Sequence, residues 1–332
     1  MGDTVEPAAA ETIRTVGDWQ VPALGAGTWA LGGRWDFAGV PAGWGDVDDN
    51  VSIAAVRAAY EGGVRLFDTA DAYGCGHAER VLGKAVAPVR DDVVIATKVG
   101  LVFDEATRSG EGIDVSPAYI RGACEASLRR LGTDHIDLYQ LQPGEVTADL
   151  APAVVEVFDQ LVAEGKVRSY GTSNEAPDVI DIFAEGAACV AVQQQLNVFG
   201  ANEEALARCD AYDLAVLARS PLAMGFLSGK YHSRDQLAPG DVRRDTPYWD
   251  YFTEAGMPRW QRRLAAIRDE LCTGGRTLIQ GVLAYVWARS HRAVALGGIR
   301  TPEQAKEQAG ALAYGPLTSA QVARIDALVA AT

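Results

Sequence analysis

Short apolar runs that alternate with helical patterns constrain the fold of this chain most strongly. Runs of this kind are typical of parallel strands covered on both faces. The predicted strands are a segment ending at Gly27 and the runs 64–68, 93–98, 136–141, 169–172, 191–195, 215–219 and 293–296. Helical patterns lie at 51–61, 78–86, 117–131, 152–164, 177–184, 203–210 and 319–330. Eight alternating units favour a closed (β/α)8 TIM barrel, an α/β fold, over an open doubly wound sheet.

Other features indicate how this barrel is elaborated. The turn pair Gly17-Asp18 predicts an N-terminal β-hairpin, and residues 1–12, rich in alanine and acid, predict a disordered extension. Residues 13–332 are then expected to form a single barrel domain. Two long substrate-side loops, 32–49 and 228–260, either wall a ligand cavity or pack on the surface. Their aromatic residues are Trp35, Phe37, Trp44, Tyr248, Trp249, Tyr251 and Phe252.

Charge and cysteine content exclude several classes of function. A net charge of -14 disfavours nucleic acid or an anionic membrane as a partner, and an anionic cofactor would need local basic residues. Five scattered cysteines indicate neither a metal site nor a disulfide framework, which fits a reducing cytoplasm. The first residues lack the pattern of a signal peptide, and no stretch is long and apolar enough to cross a membrane. We therefore expect a cytoplasmic protein with a small-molecule substrate.

An aspartate, a tyrosine and a lysine stand at or just after the ends of neighbouring predicted strands. Asp68 ends the run 64–68, Tyr73 follows in the next loop, and Lys98 ends the run 93–98. A tyrosine has an unperturbed pKa of about 10, so it acts as an acid only where a cation stabilises its phenolate. Lys98 needs a partner for its own charge, which Asp68 supplies. Together they predict a proton-transfer site, although each alone is better explained by a loop cap, packing or an ion pair.

Two late loops are the better candidates for binding phosphate. The run Gly25 to Ala30 imitates a dinucleotide fingerprint, but it follows a hairpin and lacks the acidic residue of a βαβ unit. The segments 219–230 and 297–304 instead follow the last two strands, where barrels often hold phosphate on main-chain amides. Arg300 adds a bidentate donor there, although alone it would be taken for a surface ion pair.

With these motifs the chain resembles the aldo-keto reductases, from about Ile13 to its end. The resemblance lies in Asp68 and Tyr73, in Ala-Thr-Lys at Lys98, in Gly-Thr-Ser-Asn ending at Asn174, in the Ser-Pro-Leu loop and in residues 298–308. It implies an NADPH-dependent reductase in which Tyr73 donates a proton, assisted by Lys98 and Asp68. The loop 43–49 and the run 193–198 further resemble bacterial members of deoxysugar and antibiotic pathways.

The resemblance also implies a set of cofactor contacts. Ser173, Asn174 and Gln193 would hold the nicotinamide carboxamide, and Ser220, Leu222, Gly225 and Leu227 would line the pyrophosphate. Arg300 and Gln304 would face the adenosine phosphate, and the positive charge of Arg300 there favours NADP over NAD. Glu307 and Gln308 would lie near the adenine. Thr28, Trp29, Arg219, Lys230 and Gly298 complete the predicted cofactor site.

Two residues depart from the family pattern. Gln142 stands after the fourth strand, where the family usually has a histidine that orients the carbonyl oxygen. A glutamine amide is a neutral donor and acceptor that does not titrate near pH 7. The family branch that reduces conjugated C=C bonds also lacks this histidine and has glutamate instead. Arg219 replaces an aromatic residue that stacks on the nicotinamide, and its planar guanidinium can lie against the ring.

Three functions are therefore compatible with the sequence. The leading one is an NADPH-dependent reductase that acts on a carbonyl or a conjugated enone, of sugar-derived or secondary-metabolite origin, with Tyr73 as proton donor and Gln142 positioning the oxygen. The same cofactor could instead be recycled within a lyase or epimerase, or the protein could be a decayed NADP-binding sensor or scaffold. Arg34, Arg243, Arg244 and Arg259 in the long loops are candidate contacts for a substrate diphosphate. The oligomeric state stays open.

Overall fold

The computed structural model describes residues 12–246 and 249–332. Residues 1–11 of the predicted extension, and Tyr248, lie outside the described residues. The strands are β1 (Ile13–Val16), β2 (Trp19–Pro22), β3 (Leu24–Gly27), β4 (Asp36–Phe37), β5 (Val40–Pro41), β6 (Leu66–Asp68), β7 (Val94–Val99), β8 (Leu101–Asp104), β9 (Ser109–Ile113), β10 (Ile136–Leu141), β11 (Val167–Thr172), β12 (Cys189–Asn197), β13 (Gly200–Ala201), β14 (Ala215–Arg219) and β15 (Ala293–Gly298).

Helices follow most of these strands. They are α1 (Asp49–Glu61), α2 (His77–Val86), α3 (Pro117–Leu131), α4 (Ala151–Ala163), α5 (Pro177–Ala184), α6 (Glu203–Ala211), α7 (Val242–Asp245), α8 (Met257–Leu271), α9 (Leu278–Arg289), α10 (Pro302–Ala309) and α11 (Ser319–Ala330). Within the described ranges 12–246 and 249–332, no helix could span a membrane by its length and apolar character.

Eight of the strands close into a parallel barrel, as the sequence pattern predicts. Their order around the barrel is β3, β6, β7, β10, β11, β12, β14 and β15. Parallel pairing of β11 with β12 and of β15 with β3 completes the ring. Because the strands are covered by helices on one face and by the barrel interior on the other, β7 and β10 are buried at every residue. The (β/α)8 prediction is confirmed.

The predicted hairpin closes the amino-terminal end of the barrel. β1 and β2 pair antiparallel around Gly17, which has a φ of 56°. Val16 and Val21 of the hairpin are buried in one cluster with residues of the barrel interior, among them Leu66 and Leu217. Because apolar side chains fill this end, we expect ligands to bind at the opposite end, at the carboxyl termini of the strands.

The long loops carry structure that the apolar pattern does not predict. Between residues 36 and 113, β4, β5, β8 and β9 form a small separate sheet beside the barrel mouth. α8 begins at Met257, inside the segment 228–260 that the sequence predicts to be a loop. α9 has no counterpart among the predicted helices. α9 is buried along most of its length, with Val282, Leu283 and Trp287 among its buried residues. An all-round apolar helix has no amphipathic period to detect.

Candidate active site

Tyr73 is held at the barrel mouth by a close approach of two backbones. The loop after β6 passes against the turn Trp29–Gly32 that follows β3. A Cβ atom at Gly74 would lie 2.0 Å from the carbonyl oxygen of Gly32, and one at Gly32 would lie 2.7 Å from the amide nitrogen of Gly74. Gly74 also has a φ of 62°. Only glycine fits both positions, so this contact fixes where the tyrosine emerges.

Asp68, Lys98 and Tyr73 meet, as expected from their places at strand ends. Lys98 Nζ lies 2.6 Å from Asp68 Oδ1, 2.7 Å from the carbonyl oxygen of Thr69 and 3.4 Å from the Tyr73 hydroxyl. The ammonium is also 5.0 Å from the centroid of the tyrosine ring. Asp68 and Lys98 are buried, whereas Tyr73 is partly exposed to the cavity. The lysine is therefore positioned to stabilise a phenolate that faces a ligand.

The second carboxylate oxygen of Asp68 binds two glutamine side chains. Gln193 Nε2 donates to Asp68 Oδ2 at 2.7 Å, and Gln140 Nε2 donates at 3.2 Å. Gln193 Nε2 also lies 3.2 Å from Gln140 Oε1. Gln140 is a further residue of the site that is absent from the predicted set. Its only mark in the sequence is a polar residue inside an apolar strand, two positions before Gln142 and so on the same face. The amide nitrogen of Gln193 is therefore already bonded to Asp68.

Burial and charge shift the two proton-carrying groups in the same direction. Burial raises the pKa of Tyr73 above its usual value, and the nearby Lys98 ammonium offsets only part of this effect. For Lys98, burial by itself lowers the pKa, but the attraction of Asp68 and Tyr73 outweighs it and raises the pKa overall. The pair is therefore a neutral phenol beside an ammonium near neutral pH, which is the form required of a proton donor.

A cavity of about 1470 Å³ opens above these residues. This is larger than the roughly 300–1,000 Å³ of a drug-sized ligand site and has room for a dinucleotide with a second molecule. The predicted site residues on its wall are Thr28, Trp29, Asp68, Tyr73, Lys98, Gln142, Ser173, Asn174, Gln193, Arg219, Ser220, Leu222, Gly225, Lys230, Gly298, Arg300, Gln304, Glu307 and Gln308. Leu227 is not among the wall residues, because its side chain lies in the hydrophobic core, and its contact with a pyrophosphate stays a prediction.

The loop after β14 has the strained backbone expected of a binding loop. Ser220, Ala223 and Met224 have positive φ angles of 52°, 45° and 57° although none is glycine, and Gly225 has a φ of 83°. Such strain persists only where the surroundings enforce it, and it concentrates at ligand sites. Successive left-handed residues also form concave main-chain nests that suit anions. The loop therefore fits the pyrophosphate of a dinucleotide.

Two residues predicted to contact the nicotinamide have partners within the protein. Asn174 Nδ2 donates to the carbonyl oxygens of Pro143, Gly144 and Val146, at 3.2, 3.2 and 2.8 Å. The Arg219 guanidinium donates to Glu175 Oε1 at 2.6 Å. Asn174 therefore holds the loop after β10 in place. Glu175 is a wall residue absent from the predicted set, and its carboxylate offsets the charge that Arg219 brings to the cavity.

Arg300 connects the adenosine end of the predicted cofactor site to the first long loop. Its Nη1 donates to the carbonyl oxygen of Trp44 at 3.1 Å, and its Nη2 donates to that of Asp46. Gln304 accepts a hydrogen bond from the Arg300 amide at 2.9 Å, and Gln308 donates to the carbonyl oxygen of Gly298 at 2.9 Å. Among residues 12–246 and 249–332 Arg300 has no carboxylate in an ion pair, and further N–H donors of its guanidinium remain for a phosphate.

A buried arginine joins the two long loops over the cavity. Arg243 forms a bidentate pair with Asp241, at 2.8 and 2.6 Å, and donates to the carbonyl oxygen of Met224 at 3.2 Å. Its guanidinium carbon lies 4.6 Å from the centroid of Trp44 and 4.9 Å from that of Tyr231. The amide of Val242 also donates to the carbonyl oxygen of Gly43 at 2.8 Å. These contacts fix the Trp44 loop above the binding loop.

The aromatic residues of the long loops divide between cavity wall and core. Tyr251 and Phe252 pack in the hydrophobic core, whereas the cavity is lined by Trp35, Phe37, Trp44 and Trp249. Trp29 stacks on Tyr73 with 5.8 Å between ring centroids and an interplanar angle of 20°, and it meets the edge of Trp44 at 5.5 Å. The first interpretation, a cavity wall, therefore holds for four of these residues, whereas Tyr251 and Phe252 are buried in the core and do not pack on the surface.

Comparison with known proteins gives consistent matches along the chain. Residues 23–330 match the sequence profile of the aldo/keto reductase family. The aldo-keto reductase YhdN of Bacillus subtilis is 33% identical over 301 residues, covering 85% of this chain and 82% of YhdN. The glycerol dehydrogenase AKR11B4 from Gluconobacter oxydans has a similar structure, with a TM-score of 0.82 and 28% identity over 97% of this chain and 96% of its own. An aldo-keto reductase from Klebsiella pneumoniae, solved in complex with NADPH, gives a TM-score of 0.69 and 27% identity over 96% and 94% of the two chains.

Proposed function

Because the chain belongs to the aldo/keto reductase family of oxidoreductases, we propose that it is an NADPH-dependent reductase whose proton donor is Tyr73. The observation that carries this proposal is the approach of Lys98 to both Asp68 and the Tyr73 hydroxyl at the base of the cavity. Its substrate is a carbonyl compound or a conjugated enone. Asp68, Lys98 and Gln193 serve to hold and tune the tyrosine.

Each residue of the site has a role in the reaction. The bound cofactor supplies a hydride. As the substrate oxygen gains negative charge, the Tyr73 hydroxyl donates its proton, and the Lys98 ammonium stabilises the phenolate that remains. Asp68 keeps the ammonium charged and oriented, because the carboxylate and the carbonyl of Thr69 occupy two of its three N–H donors. Gln142 lies on the cavity wall, where its amide positions the substrate oxygen.

NADP is the proposed cofactor because of the positive charge at the adenosine end of the site and because of the family to which the chain belongs. The strained loop 220–225 suits a pyrophosphate, and Arg300 lies at the start of the loop that precedes α10. Thr301 caps α10, whose N-terminal end attracts anions. The related reductase from Klebsiella pneumoniae was solved with NADPH. A preference for NADPH over NADH in binding titrations would support this choice, and equal affinities would contradict it.

The decisive experiment compares Tyr73→Phe with the parent protein. We expect the variant to lose about 100- to 10,000-fold in kcat for aldehyde reduction, which is the range of general acid catalysis, while NADPH binding stays within about twofold. Tyr60→Phe is the matched control, because the Tyr60 hydroxyl binds Asp92 away from the cavity. Reduction is followed by the absorbance of NADPH at about 340 nm, and cofactor binding by fluorescence. If Tyr73→Phe turned over substrate as fast as the parent, Tyr73 would not be the proton donor.

Gln142 decides between a C=O and a C=C bond as the target. Its Oε1 atom is buried without a hydrogen-bond partner in the described part of the chain, and a glutamine amide cannot release a proton as an imidazolium does. Product analysis with an unsaturated ketone distinguishes an allylic alcohol from a saturated ketone. A product formed without net loss of NADPH would instead favour the internally recycled cofactor of a lyase or epimerase.

A further inference from the structure

Glu175 and Arg219 form an ion pair on the cavity wall that spans one strand of the barrel. Arg219 ends β14, Glu175 follows β11, and β12 lies between these two strands. The Arg219 guanidinium lies 2.6 Å from Glu175 Oε1, and both residues line the cavity. Their side chains are 35% and 19% exposed, so solvent screens the pair only in part. Proton donation by Tyr73 does not by itself need this pair.

Glu175 is fixed by hydrogen bonds to its side chain and to its backbone. Its Oε1 also accepts from the backbone amide of Gln195 at 2.8 Å, and its carbonyl oxygen accepts from Asn202 Nδ2 at 3.2 Å. Asn202 in turn caps α6, where its Oδ1 accepts from the amide of Ala205. A side chain that already has fixed partners loses little further conformational entropy when it orients a neighbour. Glu175 is therefore suited to hold the Arg219 guanidinium in one place.

The strand register places Arg219 inside the barrel mouth. Arg219 pairs with Gln195, and Leu217 pairs with Gln193. Leu217 is buried in the barrel interior, and residues two apart on a strand share a face, so Arg219 also faces inward, one layer nearer the mouth. Gln193, in the lower layer, donates to Asp68. The ion pair therefore belongs to the layer above the catalytic residues, where a ligand has to lie.

The charge of Arg219 acts on the proton donor. Burial raises the pKa of Tyr73, and the Lys98 ammonium and the Arg219 guanidinium both act against this rise. Tyr73 gives its proton to the substrate oxygen while the adjoining carbon takes the hydride, and reacting atoms lie about 3–3.5 Å apart. The nicotinamide ring is then a near neighbour of the tyrosine. A cation that acts on Tyr73 from the wall also acts on the ring.

The two oxidation states of the cofactor differ in the charge of this ring. The ring is neutral in NADPH and cationic in NADP+, so a nearby positive charge destabilises the oxidised form alone. An unpaired guanidinium would also oppose reduction, because the ring gains positive charge as the hydride leaves. The Glu175 carboxylate, 2.6 Å from the guanidinium, offsets this field. Pairing therefore allows a cation on the wall without a penalty on the reaction.

We propose that Glu175 is a positioning residue that acts through Arg219 and sets the balance between the binding of NADP+ and the binding of NADPH. This inference rests on the proposed reductase function and adds to it a selectivity for the oxidation state of the cofactor. The carboxylate fixes the place of the guanidinium and offsets its charge at the ring. Without it, the site would bind NADPH and disfavour NADP+.

Glu175→Gln tests this role, because the amide has the size of the carboxylate and its oxygen can still accept from Gln195. Calorimetric titration near neutral pH gives the Kd of NADP+ and that of NADPH. We expect the ratio of the first to the second to rise about tenfold, as for one charge that solvent partly screens. Arg219→Met leaves the carboxylate unpaired, so we expect the ratio to fall by about as much.

Two further variants separate charge from structure. Glu175→Gln combined with Arg219→Met removes both charges, and we expect the ratio to return to within about threefold of the parent value. Glu164→Gln is the matched control, because it removes a carboxylate that pairs with Arg121 and Lys166 outside the cavity, and its ratio should equal that of the parent.

The outcomes distinguish the inference from the function on which it rests. If Glu175→Gln weakened both cofactors equally, or left both dissociation constants unchanged, Glu175 would serve structure alone and the inference would be wrong. The proposed reductase would stand in either case. If the parent protein bound neither NADP+ nor NADPH, the proposed function itself would fail.

Discussion

Two regions of this protein face the same cavity but are built differently. The catalytic floor, which comprises Asp68, Tyr73, Lys98, Gln140 and Gln193, is held by hydrogen bonds that join side chains at the ends of several barrel strands to the Asp68 carboxylate. The rim, which comprises the loops 32–49 and 228–256, is held by one buried arginine and by aromatic contacts between distant segments. The floor therefore has its geometry set by barrel register, and the rim by loop packing.

We infer from this difference that the floor carries out the chemistry and that the rim determines which ligands bind. On the floor, Asp68 and Lys98 stand on paired strands of the barrel, so a small change in a loop cannot move Lys98 from Asp68. On the rim, the Arg300 guanidinium contacts the carbonyl oxygen of Trp44 across 256 positions of sequence. Such contacts can change without disturbing the barrel, which is why loop variation alters substrates while the fold is kept. We expect variants of the floor to lose turnover and variants of the rim to change binding.

The largest effect is expected for Lys98→Met on the floor. The variant removes the cation that stabilises the Tyr73 phenolate and leaves the buried Asp68 carboxylate without its ion pair. We expect kcat to fall by about a thousandfold or more, and the free energy of unfolding to fall by about 3–5 kcal/mol. Steady-state kinetics and urea denaturation measure the two effects separately.

Lys84→Met provides the control for this loss of a positive charge, since Lys84 is exposed on α2. We expect its kcat to equal that of the parent and its unfolding free energy to change by less than about 0.5 kcal/mol. If Lys98→Met kept most of the parent's turnover at a pH where the protein is folded, Lys98 would serve structure alone and the floor would have no catalytic lysine.

The floor was also the region that sequence predicted best. Asp68 and Lys98 end apolar runs, and the carboxyl ends of parallel strands meet at one edge of a barrel, so their proximity follows from the strand pattern. Eight strands and the hairpin were predicted for the same reason. Gln140 was missed because a strand buried on both faces shows no alternation that separates inward from outward positions. The burial of the Leu227 side chain could not be predicted, because the chain turns at residues 223–228 and no periodic pattern indicates this turn.

The rim could not be predicted, because its contacts join segments that share no register. Arg243 was only one of four candidate arginines in the loops, yet the structure places it against Asp241, Trp44 and Tyr231. Tyr251 and Phe252 were grouped with the cavity aromatics, but they pack in the core. Composition marks an aromatic loop, whereas tertiary packing decides which ring faces the ligand.

Arg243→Gln tests whether the rim acts on binding. It leaves Asp241 without its charged partner and removes the contacts to Met224 and Trp44, so both the binding loop and the Trp44 loop lose support. We expect the dissociation constant of NADPH and the KM of the substrate to rise about tenfold, with kcat changing less than about threefold. Arg244→Gln is the control, because Arg244 contacts a loop carbonyl and none of these rings. A fall in kcat with unchanged KM would contradict the separation of the two regions.

Asp71 differs from the residues of the floor, because its buried carboxyl group is not paired within the described part of the chain. It lies three residues after Asp68 in the loop that carries Tyr73, it is 1% exposed, and neither carboxyl oxygen has a hydrogen-bond partner in the described part of the chain. Burial, reinforced by the charge of Glu79, raises the pKa of Asp71 well above its usual value. The folded state therefore binds this proton more tightly than the unfolded chain, and its contribution to stability is lost as the pH rises above about 4.

Asp71→Asn should remove that loss, because an amide keeps the shape of the protonated carboxyl and does not ionise. We expect the variant to equal the parent in unfolding free energy near pH 4 and to exceed it by about 1–3 kcal/mol near pH 8. Denaturation at both pH values measures the difference, with the exposed Asp269→Asn as a control that changes neither. A variant less stable than the parent at pH 8 would mean that Asp71 is ionised and that its charge is used.

The smallest effect is expected for Gln142→His, at the border between the two regions. An imidazole at this position can orient a carbonyl oxygen and also share a proton near neutral pH, which the glutamine amide cannot. We expect kcat/KM for a simple aldehyde such as propanal to rise several-fold. Steady-state kinetics with propanal measure this change, and Gln142→Asn separates the effect of the imidazole from that of a shorter side chain. If Gln142→His left kcat/KM for the aldehyde unchanged, Gln142 would not orient the substrate oxygen.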